Sequence, residues 1–117
     1  MTTISSHVLD STIGDHAKWI RIECIKISAD GNRHPLFNAI ADDQGRISET
    51  IAVTPNDGAK YEMIFYSAEY FTDKPSGFQA GQIMPEVVVR FLIPNPAKNI
   101  HIPIMLAPHQ YSIWWSA

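Results

Sequence analysis

Two histidines and one arginine are the residues here whose types and settings could do chemistry. His7 stands in Ser6-His7-Val8-Leu9-Asp10, and His101 in Ile100-His101-Ile102-Pro103. Both lie inside stretches patterned as strands, among apolar neighbours. Arg46 opens another such stretch directly after Gly45. A neutral imidazole, with an ordinary pKa of ~6.5, can take a proton from water near neutral pH. A guanidinium can hold a carbonyl oxygen, or the negative charge that develops on one. Each residue also has a plain reading, as a half-buried imidazole bonded to backbone or a solvated charge at a strand edge. For either histidine alone the plain reading is favoured, and periodicity by itself does not bring the three together. His16, His34 and His109 fall in turns, where solvent exposure accounts for them. Cys24 aligns with Ile20 and Ile22 in an alternating stretch, which predicts a buried structural thiol rather than a nucleophile.

Other chemistries are excluded by what the chain lacks. It has no glycine-rich phosphate loop, no His-Glu-x-x-His and no Gly-x-Ser-x-Gly elbow. A single cysteine permits neither an intrachain disulfide nor a cysteine-based zinc site. A zinc site built on His7 and His101 lacks a third ligand, so no metal and no cofactor are expected. The net charge is −3 and no Lys/Arg cluster exists, which disfavours nucleic acid. The charge-free stretch from Ile100 to Ala117 carries Pro103, Pro108, His101, His109 and Gln110, and this argues against a membrane helix. The N-terminus has no basic run followed by a long apolar one, so no secretion signal is expected and the cytoplasm is the expected compartment.

The elements that must position these residues are short. At 117 residues the chain is expected to form a single domain, residues 1–117. Period-two patterning and turn signals predict eight strands: Ile4–Asp10, Trp19–Ile27, Leu36–Ala41, Arg46–Val53, Lys60–Tyr66, Val87–Ile93, Ile100–Leu106 and Tyr111–Trp115. One short helix starts at Ser67–Phe71, with Ser67 as its cap and Glu69 at its positive end. Pro75 and Gly77 limit it, and Ser76–Pro85 is a loop. The result is an all-β antiparallel sandwich with one short helix, a small closed barrel being the alternative. Charged residues make up 18%, below the ~25% of a typical soluble domain. Tyr111, Ile113, Trp114 and Trp115 crowd the end of a small domain with little core left to hide them. Both features predict a surface covered by a partner.

Four blocks, in order, carry a resemblance. They are Ser6-His7-Val8-Leu9-Asp10, Asp43-Gln44-Gly45-Arg46, Met84-Pro85-Glu86-Val87 running on to Phe91, and His101-Ile102-Pro103-Ile104-Met105-Leu106-Ala107-Pro108 with Tyr111-Ser112. From about residue 4 to the C-terminus the chain resembles the 5-hydroxyisourate hydrolase family, the transthyretin-like enzymes of purine breakdown. The resemblance implies a transthyretin-like sandwich of two four-stranded sheets. It also implies a homotetramer with active sites in a channel between dimers. The family's catalytic set maps onto His7, Arg46 and His101. Its C-terminal Tyr-Arg-Gly-Ser falls on positions 114–117, where this chain has Trp114-Trp115-Ser116-Ala117. Asn99 stands where the family usually has another histidine.

The resemblance implies a cofactor-free hydrolase that opens an oxidised purine ring by water attack on a ring carbonyl and C–N cleavage. In that reading His101 is the base, His7 orients the water or shuttles the proton, and Arg46 holds the carbonyl. Trp114, Trp115 and Ser116 would line the substrate pocket. Trp offers one N–H and a large apolar face where Arg offers five donors. That exchange favours a ring whose nitrogens carry methyl groups, such as trimethyl-5-hydroxyisourate from caffeine breakdown. The alternative is a non-catalytic carrier of an apolar aromatic ligand in the tetramer channel. Retention of His7, Arg46 and His101 favours the enzyme.

Overall fold

Strand alternation is cleanest at the N-terminus. Along β1 (Thr2–Asp10), Thr2, Ile4, Ser6, Val8 and Asp10 are buried, while Thr3, Ser5, His7 and Leu9 form a half-exposed second face. The computed structural model describes residues 1–72, 74 and 83–117. In it β1 is the spine of one of two sheets. β5 (Arg46–Ile51) and then β2 (Asp15–His16) pair antiparallel along one side of β1. β8 (Ile100–His101) and β9 (Ile104–Ala107) pair parallel along the other, and β10 (Gln110–Ile113) adds to β9. The six segments thus fill four strand positions. The second sheet has the order β4 (Arg33–Ile40), β3 (Arg21–Ile27), β6 (Lys60–Phe65), β7 (Val87–Phe91), antiparallel throughout. The expected two-sheet sandwich is present, with the parallel β1/β8/β9 pairing as its one departure from antiparallel order among the described residues.

The sheets close on Ile4, Val8, Ile22, Met63, Phe65, Phe71, Ile104 and Leu106, all essentially inaccessible to solvent. Burying each such side chain is worth ~1.5–3 kcal/mol relative to leaving it exposed. Cys24 belongs to this core, as its alternation predicted, and burial pushes its thiol up to about 12. The short helix α1 (Ser67–Phe71) turns Tyr70 and Phe71 inward, and the Tyr70 hydroxyl donates to Asp10 Oδ2 at 2.9 Å.

Several boundaries move for identifiable reasons. The strand expected from Trp19 begins at Arg21, because Trp19 has a φ of 66° and its N–H bonds the Asp42 carbonyl. β4 begins before Pro35, which an edge strand tolerates, and the register slips between Cys24 and Ile25 opposite it. His34 therefore lies in an exposed strand rather than a turn. Ser67 does not cap the helix; its hydroxyl donates to the Pro85 carbonyl at 3.4 Å. Glu62 and Ile64 are nearly as buried as the core face of β6, and Arg33 and Arg90 fold over Glu62 at 2.6 and 2.9 Å. The strand Ile100–Leu106 breaks at Ile102-Pro103. There the Ile102 N–H bonds the Ser5 carbonyl and its own carbonyl accepts from Ser6 Oγ. Most of the loop expected at Ser76–Pro85 lies outside the described residues. No helix among the described residues is long and apolar enough to cross a membrane.

Candidate active site

The half-exposed face of β1 collects the residues singled out above. β1 pairs His7 with Arg46 and Ser5 with Ser48 on one side, and Ser5 with His101 on the other. Directly opposed residues share a face. One row therefore runs His101, Ser5, Ser48, and the next holds His7 and Arg46. The three predicted residues meet on one surface although 94 positions separate the first and last.

Gly45 makes the meeting of His7 and Arg46 possible. Its φ is +69°, and a Cβ there would stand 2.4 Å from the Val8 carbonyl oxygen. Only glycine lets the turn come that close to β1, at the point where β2 replaces β5 as its neighbour. Asp42 ties the turn by accepting the Gln44 and Arg46 N–H groups at 2.8 and 3.0 Å. Those bonds hold the Asp42 carboxyl below its usual range. Among the described residues no carboxylate is paired with the Arg46 guanidinium.

The histidines differ in what they leave open. His101 Nδ1 lies 2.8 Å from Ser5 Oγ, and its Nε2 has no hydrogen-bond partner among the described residues. His7 Nε2 lies 2.9 Å from His16 Nδ1, with ring centroids 5.1 Å apart. His7 thus has its Nε2 taken by His16, whereas His101 keeps its Nε2 open. Partial burial lowers the His7 pKa, and the neighbouring Arg46, His16 and His101 lower it further, against a hydrogen bond with the Gln44 backbone.

His16 is the residue that sequence reasoning missed. It sits in β2 opposite Leu9, not in a turn. The signal was present in Ser11–Gly14. Gly14, at φ +65°, bonds the Asp10 carbonyl and folds the chain back as a hairpin, so the residues after the turn return along β1. Reading that turn only as the end of a strand hid the second half of the hairpin. Asn99 is spent on structure, since its side-chain oxygen accepts the Thr3 N–H at 3.3 Å.

The tail touches two regions. Ser116 exchanges both backbone hydrogen bonds with His101, at 2.9 Å each, and so adjoins the histidine row. Trp114, Trp115 and Ser116 also line an apolar cleft of about 480 Å³ at the open edge of the sandwich, against Val89, Phe91 and Ile113. Ile100 and Ile102, flanking His101, face that same cleft. Among the described residues no group of three or more His, Cys, Asp or Glu side chains is placed to hold a metal ion.

Comparison with known proteins identifies the family and the fold. The sequence model of the HIUase/Transthyretin family matches residues 4–115, and the chain belongs to that family. A 5-hydroxyisourate hydrolase of Halalkalibacterium halodurans is 28% identical over 113 residues, spanning 95% of this chain and 94% of the relative. The structure of Klebsiella pneumoniae 5-hydroxyisourate hydrolase superposes with a TM-score of 0.77 at 23% identity, covering 100% of both chains. Sea bream transthyretin, solved in complex with thyroxine, superposes with a TM-score of 0.80 at 18% identity over 97% of this chain and 94% of that one.

Proposed function

We propose that this member of the HIUase/transthyretin family is a hydrolase that opens the ring of 5-hydroxyisourate or of an N-methylated analogue. The observation that carries the reading is the convergence of an unpaired guanidinium and an imidazole with an open nitrogen on one sheet face. A carrier of apolar ligands needs neither. If His101 Nδ1–H donates to Ser5 Oγ, Nε2 is left with its lone pair free. That nitrogen takes a proton from water while the hydroxide adds to a ring carbonyl. Arg46 donates to the resulting oxyanion. The adjacent C–N bond then breaks, and the proton returns from His101 Nε2 to the departing nitrogen. His7 remains neutral, so Arg46 does not face a second cation across the strand pair.

The tail supplies the finer part of the reading. Its tryptophans put apolar surface where the resembled tail has hydrogen-bond donors, and Ser116 joins this chain's tail to His101, which suits methylated ring nitrogens. A homotetramer accords with the exposed aromatic groups of Trp19, Tyr111, Trp114 and Trp115. The test generates 5-hydroxyisourate and its methylated analogues in situ and follows their decay by ultraviolet absorbance. Enzyme-dependent decay supports the hydrolase, and a methylated ring decaying fastest supports the finer assignment. Decay at the uncatalysed rate for every ring, with a folded protein, favours the carrier. Light scattering at micromolar concentration is expected to give the mass of a tetramer.

A further inference from the structure

Away from the reaction face, one buried polar group has nothing to bond. Tyr61 is 2% exposed, and among the described residues its hydroxyl has no hydrogen-bond partner. A phenol hydroxyl both donates and accepts, and leaving one buried and unpaired is costly. Lys26 continues the core-facing row of Ile22 and Cys24 along β3 and pairs across with Tyr61. The Lys26 Nζ donates to Asp57 Oδ2 at 2.9 Å, in the turn between β5 and β6. Asp57 Oδ1 accepts the Ala59 N–H at 3.0 Å. Asn56 and Gly58 hold this turn in left-handed backbone, at φ 58° and 73°. The turn is therefore fixed by its own bonds.

Tyr61 and Asp57 line one cavity of about 170 Å³. Val53, Ala59, Leu92, Ile93 and Pro94 give it an apolar wall. None of the residues of the reaction face lines it, and it shares only Leu92 and Pro94 with the apolar cleft. The space equals about five waters at ~30 Å³ each, which is room for one small ring. We propose that this cavity is a second ligand site, for a small neutral ring carrying an amide or urea group. The ring's carbonyl accepts from the Tyr61 hydroxyl. Its N–H donates to the Asp57 carboxylate, whose oxygens each keep a lone pair. Its carbon edge lies on Val53, Leu92 and Ile93. The charges at the wall select for neutrality: an anion would face the Asp57 carboxylate, and a cation would compete with Lys26 for it. Waters alone satisfy the hydroxyl but leave the apolar wall wet, and displacing loosely held water from such a wall favours binding. The site is independent of the ring-opening reaction.

The probe is 2-imidazolidinone, a five-membered cyclic urea. Titrated into protein with ¹³C-labelled Ile, Leu and Val methyls, it is expected to give saturable shifts at Val53, Leu92 and Ile93 and to raise the melting temperature. Tyr61→Phe keeps the ring and removes the unpaired hydroxyl. Without probe this variant should melt at or above the parent temperature. Its affinity for the probe should fall by about fivefold or more, the worth of one hydrogen bond. Cyclopentanone has the same shape and carbonyl but no N–H, and it should bind the parent more weakly by a similar factor. Shifts that never saturate, an unchanged affinity in Tyr61→Phe, or an equal affinity for cyclopentanone would each overturn the proposal. A long-lived water beside Tyr61 that the probe does not displace, with Tyr61→Phe melting well below the parent, would assign the cavity to structural water and overturn it as well.

Discussion

Two regions of this molecule lie back to back across one short strand segment. On one side His101, Ser5, Ser48, His7 and Arg46 form a polar face on a rigid sheet, with donors and acceptors at fixed spacing. On the other, Ile100 and Ile102 open onto an apolar cleft lined by Phe91, Ile113 and the tail tryptophans. Successive residues 100, 101 and 102 belong alternately to the two regions, because strand side chains alternate sides. The polar face can orient a water and a carbonyl but offers little apolar area. The cleft can bury an apolar group but has few polar atoms to orient one. Chemistry is therefore assigned to the first region, and the second bears on what covers the sheet edge. The tail belongs to both, through Ser116 on His101 and the tryptophans in the cleft, and the experiments that follow test that division.

The largest effect is expected from the polar face alone. Arg46→Ala removes the one unpaired guanidinium there, and a lost oxyanion donor costs ~10²–10³ in turnover. His101→Gln removes the open ring nitrogen and is expected to cost ~10²–10⁴. Circular dichroism and melting should stay close to the parent, since neither side chain lies in the core. Full turnover in both variants would move the chemistry off this face.

How much of this division was legible in the sequence depends on the range of the signal. The stretch leading into β3 showed its buried face directly in Ile20, Ile22 and Cys24, because alternation is local. The meeting of His7, Arg46 and His101 was not legible from periodicity. It depends on β5 running antiparallel and β8 parallel beside β1, and no local pattern encodes pairing partners that distant. The resemblance supplied that step through blocks of residues in order. His16 was lost because a two-residue strand after a tight turn has no period to detect. The cap at Ser67 failed because the hydroxyl found the Pro85 carbonyl, a contact made only in the folded chain.

The tail tests whether the two regions share a ligand. Replacing 114–117 with Tyr-Arg-Gly-Ser restores polar donors beside His101. Two regained hydrogen bonds at ~1 kcal/mol each would move the ratio of unmethylated to methylated turnover by about thirtyfold. In the parent, burial of each methyl is worth about 0.8 kcal/mol, so three methyls offset the missing bonds. Competition kinetics with the two substrates measures the ratio. A swap that alters melting but leaves the ratio unchanged assigns the tail to the cleft alone.

Ser5 gives a smaller effect confined to the face. Its hydroxyl orients His101 through Nδ1 at 2.8 Å. Ser5→Ala leaves the imidazole free to change tautomer and removes a bond of ~1 kcal/mol, a loss of about fivefold in kcat. Turnover equal to the parent would show that the sheet holds His101 without help.

The smallest effect is a pH dependence of stability, and it too should come from the polar face. His7 titrates below its ordinary value of 6.5 in the folded chain, first through burial and then through Arg46, His16 and His101. Above 6.5 the ring is neutral in both the folded and unfolded chains, and the arrangement costs nothing. As pH falls below 6.5 the unfolded chain takes up a proton that the folded chain still refuses. Stability from this group is therefore complete above the ordinary value and declines as pH drops through the lowered one. Arg46→Ala removes the second-largest cause of the shift, so the decline should still begin near 6.5 but end at a His7 pKa nearer that value and be smaller in total. Phe91, in the cleft, faces no titratable group of this set, so Phe91→Ala should lower the melting temperature by a similar amount at every pH. Melting curves of the parent and both variants across the acid range check this. A pH slope that Phe91→Ala flattens and Arg46→Ala leaves unchanged would mean that the two regions are coupled through the strand they share.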